Sequence, residues 1–111
     1  MPDEDRKRAA HRALVDRVLR GDGRASAEQR GLAFRNEGLP PPLDVLVGKV
    51  VDRPAEVSEA DLALVKAAGY SEDQVFELVV CAAVGQSERL YAAGLAALAE
   101  ATAGEEPDHA S

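Results

Sequence analysis

Cys81 stands four residues after Glu77, so on a helix the two side chains share a face one turn apart. A thiol beside a carboxylate suggests redox chemistry from one cysteine, the thiolate attacking a peroxide and Glu77 taking the proton. Glu77 has a second role open to it. It is the single charge between Val75 and Val84, and burial raises a carboxyl's pKa toward the range of a general base. Arg89 is a candidate anion-binding group at a pocket mouth. Each position also has a plain structural account. Cysteine is among the most buried residue types, and apolar surroundings with a carboxylate neighbour raise a thiol's pKa and oppose reactivity. Glu77 is equally able to point outward or pair with Arg89 or Arg53, with Asp73 one turn before it as a like charge. Arg89 is equally able to tie to Glu77 or Glu88.

Other chemistry-bearing residues are sparse. Tyr70 and Tyr91 are amphipathic and suit either a pocket lining or core and turn packing. His11 lies in an arginine-rich stretch and His109 near the end, with no cysteine close to either, so no metal site is expected. No phosphate-cradling glycine loop or Ser-His-Asp set occurs, and no cofactor is expected.

Charge narrows the partners. The net charge is −7. Residues 1–35 hold nine Arg and Lys against six Asp and Glu, a net of +3, while residues 36–111 hold four against fourteen, a net of −10. An acidic surface repels phosphate, so nucleic-acid binding is not expected. The basic exception is the stretch with Arg6, Lys7, Arg8, Arg12, Arg17 and Arg20. It suits an acidic partner, or a solvated face that pairs with the chain's own acidic remainder.

Five helical segments must position these groups, and no strand is expected. The first runs from about Asp3 to Leu19, with Ala10, Leu14 and Val18 at helical spacing and Gly21 as the stop. Ser26 caps the second, with Gln29 three places on, and the segment ends near Gly38. Pro40-Pro41-Pro42 forms a stiff connector. The third carries Leu43, Leu46, Val47, Val50 and Val51 and stops before Pro54. In the fourth, Ser58 caps, Asp61 completes a capping box, Leu62, Leu64 and Val65 supply the apolar side, and Gly69 ends it. Ser71 with Gln74 starts the fifth, which reaches about Thr102. Its stretch Val75–Val84 reads as a buried central helix, and its small residues from Ala82 to Ala97 permit close approach of another helix. Gly85 is a potential kink, and Ser87 an alternative cap for a separate final helix.

With 111 residues, 46% apolar and 30% charged, the chain is expected to form one all-α domain over 1–103, a bundle of five to six helices, with a polar, disordered tail over 104–111. No apolar run approaches the roughly 20 residues of a membrane span. The start has no apolar signal segment, and a single cysteine forms no internal disulfide, so a cytoplasmic location is expected.

The stretch from Val57 through Ala68-Gly69-Tyr70-Ser71 to Phe76-Glu77-Leu78 resembles the alkylhydroperoxidase D-like superfamily, which includes carboxymuconolactone decarboxylases. Arg89-Leu90 with Ala92 and Leu95 is similar to a segment of its peroxidase-related members. Arg12-Ala13-Leu14-Val15, Gly21 and Arg30 look like the front of some bacterial members. The resemblance implies an all-α bundle that assembles into homo-oligomers. Peroxidase members carry Cys-x-x-Cys-x-x-x-His before the turn. Counting back from Gly69 places those three positions at Ala55, Ser58 and Leu62, and none matches.

The reading reached from these residues is an alkylhydroperoxidase D-like protein without the peroxidase dithiol, acting as a homo-oligomeric binding or assembly module. The small-residue face of the fifth segment and the apolar stripe of the third are its contact surfaces. One alternative is a cofactor-free decarboxylase or isomerase with Glu77 as base, helped by Arg89 and Tyr91. The other is a one-cysteine peroxidase that needs Cys81 exposed and ionised near neutral pH.

Overall fold

The computed structural model describes the backbone of residues 2–110 and the side chains of residues 5–103. The expected tail over 104–111 therefore lies outside the residues described at side-chain level. Five α-helices follow in order: α1 (Pro2–Arg20), α2 (Ala27–Arg35), α3 (Leu43–Asp52), α4 (Glu59–Ala67) and α5 (Glu72–Ala110), with a 3-10 turn at Pro54–Glu56 before α4. The fold is all-helical, with no strand among the described residues.

Local capping starts three of the helices. Ser26 Oγ accepts the Gln29 N–H at 3.1 Å. At α4, Ser58 Oγ accepts the Asp61 N–H and Asp61 Oδ2 accepts the Ser58 N–H, a closed capping box. At α5, the Ser71 N–H donates to Gln74 Oε1 at 2.8 Å while Ser71 Oγ accepts the Gln74 N–H. Gly69, at φ +106°, turns the chain between α4 and α5 in a conformation that favours glycine. The second helix ends earlier than Gly38: Asn36, at φ 54°, is its left-handed cap, and its N–H returns to the Ala33 carbonyl. Asn tolerates that region because its short polar side chain bonds locally.

The core lies where α2 and α3 meet the first half of α5, with Val65 added from α4, which packs on α3. Leu43, Leu46, Val47, Val65, Leu78 and Cys81 are its largest fully buried side chains. Several expectations need correction here. The third segment's stripe is this core and not a partner surface. Of the three apolar residues expected on the inner side of α4 only Val65 is inside, whereas Leu62 is 37% and Leu64 60% exposed. In α5, Val75, Leu78, Cys81 and Ala82 are buried, but Phe76 is 70% exposed, so the Val75–Val84 stretch is covered on one side only. The helix also continues without a break through Gly85 and Ser87, so no separate final helix forms.

The molecule measures 65 × 28 × 21 Å. Its long dimension comes from α5, whose outer half extends past the core with α1 alongside. Among the described residues, no helix is long and apolar enough to cross a membrane.

Candidate functional site

Glu77, Cys81, Gly85 and Arg89 succeed one another at intervals of four along α5, which sets them in one row down a helix face. That row meets α1, α2 and the loop joining them. Glu77 accepts the Arg24 N–H at 2.8 and 2.9 Å and the Ala25 N–H at 2.6 Å, holding the loop just before α2. Cys81, 1% exposed, directs its thiol to the Val18 carbonyl at 3.4 Å in the last turn of α1. Gly85 lies directly under the Phe34 carbonyl of α2. Arg89 donates from Nη1 to that same carbonyl at 2.7 Å and from Nε to Gln86 Oε1 at 3.2 Å. Arg30, which entered the sequence reading only through the family resemblance, is buried on the other side of the loop, donating from Nε to Ala25 O at 3.0 Å and from Nη1 to Gly21 O.

These contacts fix the electrostatics. Burial alone pushes the Glu77 carboxyl up, but the N–H groups of Ala25 and Arg24, with the charges of Arg30 and Arg24, outweigh it. The result is a carboxyl held below its usual range, the reverse of the raised value expected for a general base. Burial pushes the Cys81 thiol up to about 11, with Arg30 opposing and Glu77 adding to the rise. The exposure and ionisation that a one-cysteine peroxidase needs are both missing at Cys81. Glu77 pairs with neither Arg89 nor Arg53. Arg89 lies three turns away, about 18 Å along the axis, and the charges nearest Glu77 are Arg24 and Arg30. The cleft beside Glu77, lined by Phe76, Arg30, Arg17 and Val80 among others, holds about 130 Å³. Small-molecule sites run to about 300–1,000 Å³. What the row does chemically is satisfy backbone groups that would otherwise be unpaired.

A larger feature lies elsewhere. Between α1 and the outer half of α5 a groove of about 950 Å³ opens, with Val15, Leu19, Tyr91 and Leu95 among its apolar lining and Lys7, Arg8, Arg12 and Arg20 on the α1 side. His11 meets Glu88 across it, and its ring lies 6.1 Å from that of Tyr91. The basic helix is thus a groove wall as well as a solvated face. Sequence reasoning set His11 aside for want of a metal-binding neighbour and did not connect it to Glu88, 77 positions away. The signal available was the spacing of Glu88, Tyr91, Leu95, Leu98 and Thr102, three and four apart in alternation.

One further pair escaped the sequence reading. Lys49 Nζ of α3 donates to both oxygens of Asp61 at 2.9 and 3.0 Å, tying α3 to the start of α4. That bond, followed by those from Ser58, lowers the Asp61 pKa. Among the described residues no group of three His, Cys, Asp or Glu side chains is placed to hold a metal ion. The chain matches no known family model, no curated protein and no solved structure.

Proposed function

We propose that this protein is a homo-oligomeric assembly module of alkylhydroperoxidase D-like type, lacking the peroxidase dithiol and working through helix surfaces in the cytoplasm. The observation that carries the reading is the outer half of α5. Leu90, Tyr91, Leu95 and Leu98 are exposed there by 48% to 64%, on a helix whose inner half is packed against the core. Isolated exposed apolar residues are ordinary on a protein surface, but Tyr91, Leu95 and Leu98, three and four apart on one helix face beside a groove that the first two line, form the kind of patch that marks an interaction site. The resemblance over Val57–Leu78, the closed caps on both sides of Gly69 and the absence of the Cys-x-x-Cys-x-x-x-His residues support the class and the loss of redox chemistry. The single buried cysteine accords with a reducing compartment.

Sedimentation velocity over a range of protein concentrations tests the reading. The expected result is a species whose mass is a multiple of the single chain. A single-chain mass at every concentration would overturn it.

A further inference from the structure

We infer that two copies of the chain associate through the arm formed by α1 and the outer half of α5, each copy laying its outer α5 antiparallel into the other's groove. The inference rests on the assembly reading and specifies its surface. Within one chain α1 runs antiparallel to α5: Val18 meets Cys81, and His11 meets Glu88 and Tyr91. Glu88, Tyr91, Leu95, Leu98 and Thr102 follow the spacing of a coiled-coil seam, which calls for facing helices along its length. A single helix, α1, leaves that seam open. Tyr91 remains 60%, Leu95 48% and Leu98 64% exposed, and the groove lies where the missing contact belongs.

Charge selects the occupant. The groove's α1 wall carries Lys7, Arg8 and Arg12. After Arg89 the sequence has no further Arg or Lys, and it carries Glu100, Glu105, Glu106 and Asp108. A two-fold axis near Leu95 sets Leu98 against the partner's Tyr91 and brings Glu100 level with the basic stretch of the partner's α1. One arm thus supplies both signs of the contact, which is what an isologous dimer requires and what a foreign acidic helix would use only by half. At Gly94 an added Cβ would meet nothing within 4 Å, leaving the approach of the second helix unobstructed.

The experiment places one new cysteine per variant. Leu95→Cys sits at the proposed axis, Ala63→Cys on the exposed face of α4 is the control, and buried Cys81 stays in both. Under mild oxidation the Leu95→Cys chain is expected to form a disulfide-linked dimer faster than the control by about tenfold or more, because association raises the local thiol concentration. In parallel, Leu95→Glu with Leu98→Glu is expected to convert the dimer to single chains at unchanged helical circular dichroism. Arg8→Glu with Arg12→Glu should weaken the dimer, and adding Glu100→Arg should restore it. An oligomer that survives Leu95→Glu and Leu98→Glu, with Leu95→Cys cross-linking no faster than Ala63→Cys, overturns this geometry while the assembly reading stands. A wild type that never associates overturns both. An oligomer seen only with an added acidic helix replaces the second copy by that class of partner.

Discussion

Gly85 of α5 and Phe34 of α2 are in backbone contact. A Cβ added at Gly85 would stand 2.8 Å from the Phe34 carbonyl carbon and overlap its oxygen. The carbonyl is also the one that Arg89 bonds from the next turn, so the end of α2 is clamped by a gap and a cation on the same face of α5.

Two glycines on one helix should therefore respond with opposite signs. Glycine within a helix costs about 0.5–1 kcal/mol relative to alanine. Gly94→Ala, with open space around the position, should gain about that much. Gly85→Ala should instead lose about 1–3 kcal/mol through overpacking against Phe34. Chemical denaturation of the two variants at a concentration favouring single chains gives the comparison. Equal gains would mean that α2 does not sit against Gly85.

Glu77 is expected to matter for stability through the loop it holds. Glu77→Ala removes the acceptor of the Arg24 and Ala25 N–H groups and should cost about 1–3 kcal/mol. Its folded-state pKa is lowered, so the stabilisation is fully present above the carboxyl's ordinary value of 4.5 and is lost as pH falls through the folded value. Unfolding free energies measured from pH 7 down to acid should fall for the wild type and change less for Glu77→Gln. Parallel curves would show that the carboxylate does not hold the loop.

Cys81 should be inert in the folded chain. With a pKa of about 11, its thiolate fraction at pH 7 is about one part in ten thousand, and the sulfur is buried. Intact mass after treatment with a small excess of hydrogen peroxide should be unchanged, whereas alkylation in denaturant should be complete. Stoichiometric oxidation in the folded state would return the one-cysteine peroxidase to contention.

Two lysine–carboxylate pairs allow a graded test of burial. Lys49–Asp61 is enclosed, whereas Lys66–Glu72 is exposed. Exposed pairs contribute little, so Lys66→Met should barely move the melting temperature. Asp61→Asn, which disturbs both the Lys49 tie and the Ser58 capping box, should lower it clearly. The Asp61 pKa is lowered chiefly by the Lys49 bond, so this advantage of the wild type is present above the ordinary carboxyl range and disappears on acidification through the folded value.

What the sequence discloses follows the distance over which each contact acts. The caps at Ser26, Ser58 and Ser71 are made by residues three positions apart, and all three are readable. Glu77 meets Arg24 and Ala25 across 53 and 52 positions, so its type and its apolar neighbours pointed to a base while its actual partners stayed hidden. Cys81 was legible as a buried thiol because its apolar setting is local. Nothing in the sequence marked Arg30 as buried, although the resemblance included it: its partners are carbonyl oxygens, which every residue has. Phe76 and Leu64 misled in the other direction, since an apolar stretch has no mark that tells which of its sides the fold leaves bare.

The elongated form has a hydrodynamic consequence. The radius of gyration is 18.0 Å, against about 13 Å for a compact domain of this many residues. A lone chain experiences the drag of a larger sphere and leaves a sizing column ahead of its mass, so elution volume alone would overstate the mass of one chain. Light scattering or sedimentation, which separate mass from friction, are the instruments that count copies of this protein. The same anisotropy makes the spin relaxation of each amide depend on its N–H direction relative to the long axis, so nuclear relaxation would register the arm's direction before any partner is added.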